Sequence, residues 1–222
     1  QVLMTSSTNL LKDLDQLFGL LKKNKKSFTT DALAPRQLLI APFNLQTRFA
    51  ALIDREIANA RVGRKAEMII KINNLEDEKM IRKLYEASNA GVMKQLIVRG
   101  ICRLVPGIAG QSEHITVRRI VDRYLEHGRI FWFHNNGEDE IYMGSADWMT
   151  RNLYRRIEVC FPVLDSSLKA SLRKVLNIYL KDTRKATWIT GDGAHSPIGG
   201  KGKKLQAQAA MYQWVKELHQ QN

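Results

Sequence analysis

The sequence predicts one α/β domain with a small helical appendage at its N-terminus. Three observations lead there. Between residues 37 and 99, short apolar runs alternate with amphipathic stretches in a β-α-β-α-β rhythm, the pattern left by crossover helices on a sheet. Beyond residue 107 the chain is richer in strand-like runs separated by turn signals. The whole is 222 residues long with 44% hydrophobic and 26% charged residues, enough to bury a core and unlike a collagenous or disordered chain.

Leu10, Leu14, Leu17, Phe18 and Leu21 recur at helical spacing, so residues 10–22 are expected to be a lead-in helix. The basic run at 22–26 closes it and a linker follows to about Pro35. Residues 37–41 read as a strand ending at Pro42. From Leu45 a helix places Phe49, Leu52, Ile53, Ile57 and Ala60 on one face, and Gly63 ends it. Residues 67–73 read as a strand, 76–89 as a helix with Met80, Ile81, Leu84 and Ala87 inward, and 95–99 as a third strand. Residues 117–125 fit either a helix or an extended segment. Strands at 129–133 and 140–144 flank the turn Asn135-Asn136-Gly137, which predicts a hairpin. A further strand is expected at 156–162 and an amphipathic helix at 167–180. Residues 191–202 hold five of the 14 glycines and Pro197, and so are expected to be a mobile loop. A closing helix runs from about 204 to 219.

Thirty-five Lys and Arg against 22 Asp and Glu give a formal charge of +13, which favours anionic partners such as nucleic acid, phosphate-rich ligands or lipid headgroups. A merely solvated basic surface accounts for the same number. Cys102 and Cys160 are too few and too far apart for a disulfide framework or a zinc site, and they read as buried thiols in a reducing, cytoplasmic setting. The longest apolar runs, 38–41 and 68–70, fall far short of the roughly 20 residues of a membrane span. No secretory leader is recognised, and a chain opening on Gln1 reads as a piece of something longer.

Three places carry residues suited to chemistry. Arg99, in Val98-Arg99-Gly100, lies where an apolar strand ends, and there a guanidinium grips a phosphate bidentately or forms an ordinary ion pair. His127 has Gly128 beside it and Arg129 two residues on, an arrangement suited to passing a proton or to capping a helix. Gly144-Ser145 leaves room for a phosphate and offers a hydroxyl, with Arg151, Arg155 and Arg156 nearby. Lys71, between Ile70 and Ile72, either points into the same cleft or alternates outward on a half-exposed strand. Phosphate-loop, protein-kinase and His-Glu-x-x-His zinc motifs are absent from the sequence.

Longer strings are more specific. Ile53-Asp54-Arg55-Glu56-Ile57-Ala58-Asn59-Ala60, Lys71-Ile72-Asn73-Asn74-Leu75, Val98-Arg99-Gly100-Ile101-Cys102, the stretch from Ile120 to His127, and Ser145-Ala146-Asp147-Trp148-Met149-Thr150-Arg151-Asn152 resemble the C-terminal part of bacterial polyphosphate kinases. The similarity runs in order from about residue 30 to the end. It implies a phospholipase D-like mixed sheet flanked by helices. Residues 1–28 would be the tail of the preceding catalytic domain with its linker, and residues 29–222 the second C-terminal domain.

The resemblance further implies reversible transfer of the terminal phosphate of ATP to inorganic polyphosphate through a phosphohistidine. That nucleophile matches nothing here and belongs to an upstream domain, so the isolated piece is expected to be inactive. His127 resembles the family's second active-site histidine, with acid/base work or stabilisation of the leaving oxygen as its role. Arg99 matches an ATP-binding arginine, Arg156 another phosphate-contacting arginine, and Ser145 the Gly-Ser place of the phospholipase D pattern, with support from Lys71. Mg²⁺ would shield the phosphates from ligands outside this stretch, so no metal ligand is assigned. A cytoplasmic homo-oligomer, membrane-associated at most, is the implied setting. Arg129 stands where phospholipase D has a lysine and His134 where it has an aspartate, which weighs against a phosphodiesterase. That activity and a simple polyanion-binding module are the alternatives.

Overall fold

The strands of the computed structural model form one nine-stranded sheet in the order β1-β7-β6-β5-β2-β3-β4-β8-β9. Residues 3–23, 29, 31–199 and 204–220 are described. The strands are β1 (Leu39–Ala41), β2 (Glu67–Ile72), β3 (Met93–Val98), β4 (Ile115–Ile120), β5 (Arg129–Phe133), β6 (Glu140–Gly144), β7 (Glu158–Pro162), β8 (Ala186–Ile189) and β9 (His195–Pro197). The helices are α1 (Thr8–Leu21), α2 (Leu45–Arg61), α3 (Glu78–Asn89), α4 (Thr150–Tyr154), α5 (Ser166–Leu180) and α6 (Ala207–Gln220).

The period-two alternation of β2 sorts the interior into two layers. Met68, Ile70 and Ile72 face a core shared with Phe49, Leu52 and Ile53 of α2 and Met80 and Leu84 of α3. Ile69 faces the other way, toward Leu176 and Tyr179 of α5 and Ala207 of α6. On that second face, at the β1 edge, Leu10, Leu17 and Leu20 of α1 pack against Leu38, Ile40 and Phe43. The α1 helix is tied down further by buried Asp13, whose carboxylate accepts the backbone N–H groups of Arg36, Gln37 and Leu38 at 3.1, 2.6 and 2.8 Å.

Only the centre of the sheet is parallel: β2 with β3 and β3 with β4. The expected rhythm is therefore realised in part, because β1 does not join it. This three-residue strand pairs antiparallel with β7 at the far edge, and α2 carries the chain from that edge to the centre. The β5–β6 hairpin forms as expected, with Asn135 and Asn136 at positive φ in its turn. Residues 117–125 divide: β4 ends at Ile120, and 121–128 form neither helix nor strand.

The glycine-rich stretch corrects an expectation. It contains β9, which pairs antiparallel with β8 around a turn where Gly193 adopts φ +80°. Backbone pairing with an adjoining strand orders what composition alone reads as a loop; its residues 200–202, like the basic run at 24–26, lie outside the described ones. Among the described residues no helix is long and apolar enough to cross a membrane.

Candidate active site

Parallel β2 and β3 end where antiparallel β5 begins, since Lys71 is paired with Ile130 and Ile72 with Val98. Strand β6 ends at the same side, Gly144 lying opposite Arg129 and Cys160. The topology therefore gathers at one end of the sheet Asn73-Asn74, Arg99-Gly100, the 126–129 segment, Ser145–Asp147 and Arg156. This is the position where open α/β sheets take ligands.

Close approach of backbones shapes this end. A Cβ on Gly100 would stand 2.6 Å from Asn74 Oδ1 and 3.0 Å from the Asn73 carbonyl oxygen. One on Gly144 would meet the β7 backbone, 2.6 Å from Cys160 Cα. Both glycines are thus needed for packing, whatever a ligand requires.

The organising group is Asp147, only 4% exposed. Its Oδ1 accepts from the Asn73 backbone N–H at 2.8 Å and from Arg129 Nε at 3.1 Å, and its Oδ2 from Asn74 Nδ2 at 3.1 Å and Arg129 Nη2 at 3.2 Å. Asn73 in turn accepts Arg99 Nε on its Oδ1 at 2.9 Å. A chain of charge-assisted bonds therefore runs from one arginine to the other and sets the direction of both. Arg129 also donates to the His127 carbonyl at 2.8 Å.

Two clefts open here, each lined in part by the 121–128 segment. His127, which is exposed, lines one of about 320 Å³ with Arg129, Gly144, Ser145, Val159 and Phe161. Arg99 lines the other, of about 240 Å³, beside Tyr124, Glu126 and Gln208. Arg156 is exposed on the bend before β7 and lines neither. Four strand steps separate β7 from β3 in the sheet, about 19 Å at the usual spacing. The structure thus brings His127 and Ser145 into one cleft, sets Arg99 in the adjoining one, and leaves Arg156 at the margin.

The remaining two residues have protein partners. The Ser145 hydroxyl donates to Glu158 and accepts from the Val159 N–H at 3.2 Å, while Glu158 also accepts from Asn152. Lys71 points to the α5 face and is 7% exposed. Its ammonium meets Glu126 Oε2 and the Gly128 carbonyl, each at 3.2 Å. Burial lowers its pKa; Glu126 opposes that shift, and the nearby charges of Arg99 and Arg129 add to it. Burial likewise pushes the Cys160 thiol up to about 12, leaving it an inert core group.

The sequence did not single out Asp147, Asn73 or Glu126 for chemistry. Two consecutive asparagines directly after an apolar strand were the available signal, because amide side chains there can satisfy neighbouring loops. Among the described residues no group of three or more His, Cys, Asp or Glu side chains is placed to hold a metal ion.

Fold and site together define an α/β domain with an arginine- and histidine-lined cleft at the carboxyl ends of its central strands. The match to a protein-family model makes the class particular: the chain belongs to the polyphosphate kinase C-terminal domain 2 family, which it matches over residues 38–208. It is 41% identical over 220 residues to a polyphosphate kinase of Vibrio parahaemolyticus, covering 99% of this chain and 31% of that protein. It is 43% identical over 202 residues to one of Pseudomonas aeruginosa, covering 91% and 29%. The crystal structure of polyphosphate kinase from Porphyromonas gingivalis superimposes with a TM-score of 0.91 at 40% identity, over 99% of this chain and 33% of that one. The chain thus spans about a third of the length of the relatives it matches.

Proposed function

We propose that this chain supplies one wall of the active site of a polyphosphate kinase, which reversibly transfers the terminal phosphate of ATP to inorganic polyphosphate. The observation that carries the reading is the convergence of His127, Arg129 and Ser145 on one cleft with Arg99 oriented beside it. Phosphoryl transfer needs little covalent work from the protein beyond positioning and neutralising charge on the transferring oxygens. Arg99 is suited to neutralising that charge. Its Nε is anchored on Asn73, and its terminal nitrogens meet no hydrogen-bond acceptor among the described residues. Arg156 extends the positive surface along the sheet end toward a long polyanion. Ser145 and Lys71 support the site from within.

His127 has the exposure and neighbours of a group that moves a proton to or from the leaving oxygen. The nucleophilic histidine lies, in this reading, in a preceding catalytic domain, whose tail and linker are residues 1–28; residues 29–222 form the domain itself. The family match, over residues 38–208, falls inside the second of these stretches. In this reading Mg²⁺ shields the phosphates while held by ligands beyond this chain, and no step is derived through it. A cytoplasmic homo-oligomer completes the reading.

The test is polyphosphate synthesis by the full-length parent protein. His127→Ala and Arg99→Ala are each expected to lower kcat/KM for ATP by about 100-fold or more. Near wild-type synthesis in both variants overturns the assignment. The 222-residue chain alone should make no polyphosphate.

A further inference from the structure

Residues 121–128 carry His127 yet form neither helix nor strand, and Val121, Arg123, Tyr124, Leu125 and His127 are exposed. Such a segment orders its catalytic side chain only if its backbone is held elsewhere. Arg129 holds the His127 carbonyl, Gln208 the Tyr124 backbone and Gln206 the Asp122 carboxylate, and on the two residues flanking His127 the buried holding group is Lys71. Its Nζ lies 3.2 Å from Glu126 Oε2 and 3.2 Å from the Gly128 carbonyl oxygen, the residues on either side of His127. The ammonium sits over the Tyr179 ring, 4.7 Å from its centroid. The Tyr179 hydroxyl donates to the same Glu126 oxygen, and Glu126 Oε1 accepts from Gln208 Nε2 at 2.8 Å. Strand β2 and helices α5 and α6 therefore converge on one carboxylate next to the histidine.

We propose that Lys71 is a positioning residue for His127, its buried ammonium bridging the Glu126 carboxylate and the Gly128 carbonyl so that the backbone is fixed on both sides of the imidazole. The inference rests on the phosphoryl-transfer reading of the site. An ammonium has three donors; here two are directed at the 126–128 backbone and carboxylate, and an aromatic face lies against the cation. A lysine that held phosphate itself would keep its charge at the cleft surface, whereas this one is 7% exposed and lines neither cleft. Its removal leaves Glu126 to Tyr179 and Gln208 but frees the Gly128 carbonyl, and a displacement of about 1 Å at a catalytic group can cost about 100-fold in rate.

The experiment uses the full-length parent protein with Lys71→Met and, as a milder variant of similar shape, Glu126→Gln. Lys71→Met should lower kcat for polyphosphate synthesis about 10- to 100-fold while KM for ATP changes less than about threefold. Backbone amides of residues 121–129 should exchange with solvent at least about tenfold faster, with other strands unaltered. Glu126→Gln should move both readouts in the same direction by less, and it carries the test if Lys71→Met does not fold. A rise in KM with kcat preserved overturns the proposal and makes Lys71 a phosphate ligand. Unchanged exchange at 121–129 overturns it as well. Failure of the wild-type protein to make polyphosphate would instead remove the functional reading, and the exchange measurement would still decide whether Lys71 holds the segment.

Discussion

Asp147 receives both the Nε and an Nη of Arg129, along with donors from Asn73 and Asn74, in a position almost closed to water. Breaking one side of such a pair leaves a buried charge uncompensated, a loss of about 3–5 kcal/mol. Asp147→Ala should therefore lower unfolding stability by that amount in urea titrations. A loss under about 1 kcal/mol would mean the pair contributes no more than a surface salt bridge. Lys94 shows the opposite situation. Its side chain is 0% exposed, its ammonium donates to the Val92 carbonyl at 2.5 Å, and burial lowers its pKa to about 7. A depressed lysine pKa means that the unfolded chain binds the extra proton between about pH 7 and the ordinary value of 10.5. Over that window Lys94 should make stability rise with pH, by at most about 1.4 kcal/mol per unit, with its full penalty present below it. Urea unfolding from about pH 7 to about pH 10 should show a smaller rise for Lys94→Met than for the unsubstituted protein.

Each element that frames the site ends on a specific local device. Helix α3 is started by Asp77, whose carboxylate accepts the Met80 N–H at 3.0 Å, while the Asp77 and Glu76 N–H groups donate to the Trp148 carbonyl. That joint ties the start of the helix to the segment following Asp147. Strand β6 closes on β7 at Gly144, where no Cβ fits against the Cys160 backbone. Overpacking at such a contact costs about 1–3 kcal/mol. Gly144→Ala should lower the thermal midpoint accordingly and speed amide exchange at residues 158–162; unchanged exchange there would show that the two strands can separate without cost. Phe49 of α2 packs on Phe131 at 4.4 Å and Trp148 at 5.6 Å between ring centroids, joining helix, β5 and the site segment.

At the scale of the whole molecule, three cores grip one sheet. The two main layers cover opposite faces of its centre, and α1 closes the second face at the β1–β7 edge. The α1 contact is polar as well as apolar because Asp13 satisfies three consecutive backbone donors. An unsatisfied buried donor costs about 1–3 kcal/mol, so Asp13→Ala should destabilise the chain by at least that much in chemical denaturation. A neutral result would show that α1 adds nothing to the sheet. The +13 charge is a property of the same scale. A charge of that sign favours anionic partners over the whole surface, and the proposed function assigns the reacting end of a polyanion to Arg99 and the cleft of His127.

The amino-acid pattern by itself determined that helices follow β1 and β2, that 129–133 and 140–144 form a hairpin, and that residues of one family recur in order, because periodicity, turn chemistry and long strings are local properties. The end of the sheet near which Arg99, His127 and Ser145 lie follows from the order of those strands, while their division between two adjoining clefts does not. Only the tertiary structure decided that β1 lies at the far edge, that glycine-rich residues 195–197 pair as a strand, and that Lys71 turns inward to Glu126 while Arg156 stays at the margin. Each of these depends on hydrogen bonds or charges contributed by residues distant in sequence, and a partner's position in space is not encoded in the spacing of the residue that needs it.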